Sequence, residues 1–405
     1  MALIASTRER PFDPSESFAF ALDGSGRLTA LDPVFARLSG AAVGDAFDAL
    51  RHPDIPYAVL RALFGRVGVA PLRLVADDGA WFRALIVAAP AAGGWVAVGV
   101  KPTLPEPELV GALRAAELAG EDVAPLLDEY ARAMQAALVA EVAARDPRPP
   151  TRDARPAHGG SPPAPGRPAH GGSPPAGGSP PGPDPRVSAA VAALLHALAG
   201  RLAAHGSLAD ALRRSSGFVE ELAESIRLFS LNAILAAHRV RDAAAIGAVA
   251  GLMKTRSDAA GPDILALGGE IEQAAAALEA ASVRVAAGLL QAEALPAAPF
   301  VAEPLANTLD AVADGAAALD AALGALAARS HAVEEHLKTL RFLELQGRIE
   351  AARADDTQHV RMLFEEIGQQ VRQAGDELRA FSAVALRGGD ADVREARRLA
   401  AALRT

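Results

Sequence analysis

A ten-residue unit, RPAHGGSPPA, occurs at 155–164 and again at 167–176, inside a stretch from Asp146 to Arg186 dominated by Pro, Gly, Ser and Ala. No other feature constrains the chain as much. Such a segment holds too few apolar side chains to offset the entropy of ordering it, and its prolines lack the N–H that a helix or sheet ladder uses. Residues 146–186 are therefore expected to be a disordered tether, with separate folded regions on either side. His158 and His170 recur within the repeat, but a structural metal site takes about four ligands, so a duplicated linker unit is the reading.

The two flanks follow different periodicities. Residues 17–103 read as mixed α/β: short strands at Ser17–Leu22 and Arg27–Ala30, a short helix at Pro33–Leu38, a longer one at Ile55–Val67, then an antiparallel meander of Leu72–Ala76, Trp81–Ala88 and Trp95–Val100. Residues 106–145 read as two helices divided near Gly120. Beyond the tether, apolar or small residues recur at spacings of three and four: Leu309, Val312, Ala316, Leu319, Leu323, Leu326, Ser330, Val333, Leu337 and Leu340. That is a coiled-coil seam. A second seam begins at Leu195, Leu198, Leu202 and His205, and returning seams run through Ile264, Leu267, Ile271, Leu278 and Val285, and through Ile367, Val371, Ala374, Leu378 and Phe381. The hydrophobic fraction is 51% but aromatics are only 4%, and the difference is largely alanine, which suits slender helical bundles. Gly261-Pro262 is expected to kink or interrupt its helix.

Several classes are excluded or disfavoured. Zero cysteines remove disulfides, thiolate metal sites and cysteine nucleophiles. A net charge of −9 without a basic stripe argues against nucleic-acid binding. Residues 1–16 carry Arg8, Glu9, Arg10 and Asp13 in place of a secretory core. The uncharged stretch Ala84–Val100 contains Pro90 and Gly93-Gly94, so it reads as two strands and a turn. A soluble, cytoplasmic chain with no membrane span is expected, and no enzyme motif is visible.

Two passages, LFSLNAILAAHR at 228–239 and FLELQGRIEAAR at 342–353, lie 114 positions apart. Both resemble the hairpin tip of methyl-accepting chemotaxis proteins. Leu231, Asn232 and Arg239 in the first, and Gln346, Glu350 and Arg353 in the second, fall on positions that the resemblance implies are partner contacts. The partners so implied are a chemotaxis histidine kinase and its coupling adaptor. The expected turns lie near Asn232 and Gln346. Neither copy keeps the family's Gly-Glu after the Arg: the first continues Val240-Arg241-Asp242, the second Ala354-Asp355-Asp356.

At the other end, FARLSG at 35–40, then Arg51-His52-Pro53-Asp54-Ile55-Pro56, and the Gly79–Phe82 turn and strand resemble the PAS domain of aerotaxis receptors. The resemblance implies FAD as a cofactor, with Arg51, His52 and Asp54 as its binding residues. A reading without a cofactor stays open beside it: Asp54 as the N-cap of a helix starting near Ile55, with Pro56 in its first turn.

The expected architecture is multidomain: a PAS-like α/β sensor at 1–104, linker helices at 105–145, the tether at 146–186, and chemoreceptor-like helical hairpins at 187–295 and 303–405. Arms of about 50 residues span on the order of 75 Å. The two hairpins either pack together as an intramolecular, pseudo-twofold four-helix bundle or each pairs with a second chain as a homodimer. The expected function is sensory signal transduction of the chemotaxis or aerotaxis type; the alternative is a coiled-coil scaffold whose PAS domain serves assembly.

Overall fold

The computed structural model describes residues 8–103, 108–145, 184–204, 244–353, 358–382 and 389–404, together with isolated helical residues between 224 and 235. Residues 146–183 of the expected tether and the seam positions from His205 to Val219 lie outside the described residues, as does Arg239; Pro185 and Arg186, expected in the tether, instead open a helix.

Seven of the chain's 13 phenylalanines precede residue 100, and they build the one thick core. Strands β1 (Ser17–Asp23), β2 (Leu28–Leu31), β3 (Val69–Val75), β4 (Trp81–Ala91) and β5 (Gly94–Val100) form a fully antiparallel sheet in the order β2-β1-β5-β4-β3. Phe18, Phe20, Phe35, Phe47 and Phe82 are all at most 2% exposed. Their rings stack or meet edge to face, with Phe20 4.6 Å from Phe35 and 4.7 Å from Phe47. Central strand β5 must pass under Phe18, and Gly99, its register partner, makes room: a Cβ there would sit 2.2 Å from the ring.

Helix α1 (Pro33–Ser39) starts on Asp32, whose carboxylate accepts from Phe35 N, and ends on Gly40 in the left-handed region. Helix α2 (Tyr57–Ala62) is shorter than the expected 55–67 segment, because its last turn widens into a π-turn over Leu63–Val67. Asp54 is not its N-cap. Pro56 occupies that position without a side-chain acceptor, and the Glu117 carboxylate of α3 (Leu109–Ala119) accepts from Tyr57 N and Ala58 N instead, each at 3.0 Å. Gly120 closes α3 as expected, and α4 (Ala124–Ala144) follows.

Beyond the tether run α5 (Pro185–Ala204), α6 (Ala244–Ala294), α7 (Ala302–Arg353), α8 (Gln358–Ser382) and α9 (Gly389–Leu403). Pro262 does not interrupt α6, contrary to expectation. The helix is held across that point by Asp263, which pairs with Arg329 at 2.6 Å and His336 at 2.9 Å on α7. Gln346 likewise lies inside continuous helix, not at a turn. Helix α7 runs on to Arg353, and α8 begins at Gln358.

The chain divides into two compact units: residues 1–197, 286–309 and 398–405 form one, and residues 198–285 and 310–397 the other. In the second unit, α6 and α7 are antiparallel, since Asp263 faces His336 while Arg284 lies against Gly315. Helices α7 and α8 are antiparallel too: Gly347 packs on the Phe364 ring, while Glu344, a turn earlier on α7, lies against Gly368, a turn later on α8. One apolar cluster joins α6 (Ile246 to Ala274), α7 (Leu326 to Ala351) and α8 (Val360 to Ala374), with Ile234 against it. A smaller one gathers Leu278 and Ala281 with Leu319, and Leu202 of α5 packs on it. In the first unit, Leu195 of α5 packs against Gly288 of α6, and Arg404 donates to Asn307 at 2.9 Å.

Every seam position from Leu309 to Leu340 is buried apart from Ala316 and Leu323, which are half-buried. The same burial also repeats at the 114-residue interval of the two tip passages. Val191 and Leu195 correspond to Leu305 and Leu309, and Ile246, Ala250 and Met253 to Val360, Phe364 and Ile367. Val285, Ala286 and Leu289 correspond to Leu399, Ala400 and Leu403. Even the prolines opening α5 and η-turn 299–301 before α7, Pro185 and Pro299, keep this interval. These buried positions thus share the interval that separates the two tip passages.

Among the described residues, two helices contain windows apolar enough to cross a membrane by length and composition, in Pro185–Ala203 and Pro299–Arg353. Alanine supplies much of that hydropathy, and the Leu and Val seam of α7 is buried against other helices.

Candidate functional site

The segment from Arg51 to Ile55 runs beside β3, the outermost strand, and covers its edge. Arg51 bridges to Leu74, and His52 N donates to Arg73 O at 3.0 Å. The segment is locked from within. The Arg51 guanidinium donates to Ile55 O and to His52 O, stacks 3.7 Å from the centroid of the Tyr57 ring, and approaches Asp48 at 3.6 Å. His52 Nδ1 accepts from Asp54 N at 3.1 Å, and the ring meets Trp81 edge to face. Asp54 pairs with Arg114 of α3, and Arg73 lies 3.6 Å away on β3.

The three residues singled out from the sequence are thus brought together, but their polar groups serve the protein. Arg51 closes a loop, His52 caps a turn and Asp54 ties α3 to the sheet edge. Behind them the interior is filled by phenylalanine rings. Tyr57, Arg73, Trp81, Arg114 and Glu117 complete the cluster and were not singled out from the sequence. The available signal was slight: Arg114 and Glu117 stand three apart, on one face of a helix already expected.

At the second tip passage, Gln346 is exposed, and Glu350 accepts from the largely exposed Arg353 at 3.0 Å. Beside them Phe342, Leu345 and Ile349 form an exposed apolar stripe at i, i+3 and i+7. The opposite face, with Leu343, Gly347 and Ala351, is buried. In the first passage Leu231 is half-buried and Asn232 exposed, both in helical conformation, and Leu228 and Leu235 are exposed at positions equivalent to Phe342 and Ile349. Large apolar side chains are thus exposed at matching places in the two passages. Among the described residues no cluster of His, Asp and Glu could hold a metal ion.

No protein-family model matches the chain, and no curated protein matches it in sequence.

Proposed function

We propose that this chain is a cytoplasmic sensory transducer of the chemotaxis type. In this reading a PAS-like N-terminal domain controls a chemoreceptor-like four-helix bundle, which a single polypeptide builds from two copies of one hairpin. The observation that carries it is the burial pattern repeated at a fixed interval through both arms of both hairpins. Equivalent exposed stripes on the two tip passages support the reading further. A five-stranded antiparallel sheet with helices inserted between β2 and β3 supports the input domain. The partners would be a histidine kinase and its coupling adaptor, meeting Phe342, Leu345 and Ile349 beside Gln346, Glu350 and Arg353. The input domain works without flavin in this account, so the purified protein should lack blue absorption bands; stoichiometric flavin would contradict that part.

Capture of a purified chemotaxis kinase–adaptor complex by the full chain tests the output. Leu345→Ser and Ile349→Ser alter exposed positions and should leave the helical fold intact, while reducing capture by about tenfold or more, as expected of apolar contact residues. No capture by the unaltered chain, or equal capture by the variants, would refute the role of this surface.

A further inference from the structure

Residue 145 ends α4, and the proline- and glycine-rich sequence that follows predicts no lever between α4 and α5. Another route exists within the first unit. Glu141, in the last turn of α4, is only 1% exposed, an unfavourable place for a carboxylate without partners. It accepts from both the backbone N and the hydroxyl of Thr103, each at 2.8 Å, immediately beyond central strand β5. Its other oxygen lies 3.9 Å from Arg145 Nε. The same guanidinium donates from Nη1 to Glu293 at 2.9 Å and from Nη2 to Pro14 O at 2.8 Å.

Glu293 sits one residue before the end of α6. The connection it leads into is anchored by three buried side chains: Leu295, Ala298 and Val301 are at most 1% exposed, while Pro296, Ala297 and Pro299 face solvent. Connections between helices normally run over the surface. A packed connection of this kind cannot shift without its surroundings shifting too.

We propose that Thr103, Glu141, Arg145 and Glu293 form a latch. Through it, a change at the end of β5 reaches the α6–α7 connection, and hence the paired helices, independently of residues 146–183. The inference rests on the sheet domain being the input, as proposed above. Glu141 Oε1 and Arg145 Nε, 3.9 Å apart and without hydrogen-bond partners, are joined by charge alone, and this buried ion pair couples the Thr103–Glu141 bonds to the Arg145–Glu293 bond, so loosening one end alters the other.

Hydrogen exchange on the full chain tests it. Glu293→Gln removes one charge at a partly exposed position, and Arg145→Ala removes the shared cation. Each should raise the exchange of backbone amides at 294–301 by about tenfold, with the double variant no faster than the faster single. Thr103→Val, which touches only the far end, should raise exchange at the same amides. Unchanged exchange at 294–301 in Glu293→Gln, or multiplied effects in the double variant, would overturn the latch. A Thr103→Val effect confined to residues near 103 would overturn transmission through it. Kinase–adaptor capture depends on the tip surface, so failure there and failure of the latch are separate outcomes.

Discussion

Asp32 is 2% exposed, and both its oxygens are occupied: one accepts from Ala19 N at 2.9 Å on β1, the other from Phe35 N at 2.7 Å in α1. Asp32→Ala would leave two buried donors without acceptors, and should cost about 1–3 kcal/mol in chemical denaturation; Asn, which restores one acceptor, should cost less. Burial raises the Asp32 carboxyl above its ordinary range, against the lowering effect of these bonds. Its contribution therefore falls as pH rises from the unfolded-state range toward the raised folded value. Asp263 has the opposite sign. The hydrogen bond to His336, then that to Arg329, lowers its carboxyl. Its contribution is present above the ordinary aspartate range and lost as pH falls below it. Asp263→Asn should flatten the acid-side fall of the thermal midpoint; an unchanged acid profile would place the pH sensitivity elsewhere. Neither role was legible beforehand. Asp32 stands before a proline-started helix and signals a cap, but its second bond to β1 depends on tertiary packing, and Asp263 and His336 meet only once α6 folds against α7.

At the scale of elements, the two hairpins solve the same packing problem with different side chains. Near the second tip, Gly347 leaves space for Phe364, and a Cβ at 347 would come within 2.3 Å of the ring. In the first repeat the corresponding residues are Ala233 and Ala250. Gly347→Ala alone should destabilise by about 1–3 kcal/mol through overpacking, and Phe364→Ala by about 3–5 kcal/mol through the cavity it leaves. The double change installs the first repeat's pair and should cost clearly less than the sum; additive losses in a thermodynamic cycle would show that the contact is not shared. Seams and strands were readable because their burial follows a period of 3.5 or 2 along the chain. The end of α7 at Arg353 was not, since Gln346 looks like a turn residue only by composition, and helix α7 continues because its buried face persists through Leu343, Gly347 and Ala351. The capping of α2 by Glu117 was also hidden: its partner stands sixty positions away.

At the scale of the whole molecule, we propose that one chain carries both hairpins of a helical bundle. The sequence offered the two tip passages and their interval but left open whether the hairpins pair with each other or across chains. Ile234 and the α6 core residues pack with α7 and α8, and Leu202 of α5 packs with residues of α6 and α7; we propose that the hairpins pair with each other. If they are satisfied internally, the seams leave no long apolar face for a second chain. Size-exclusion chromatography with light scattering on the full chain, over a wide dilution series, measures this directly. The account predicts the mass of one chain at every concentration. A compact dimer that persists on dilution, and is lost when either hairpin is deleted, would contradict it.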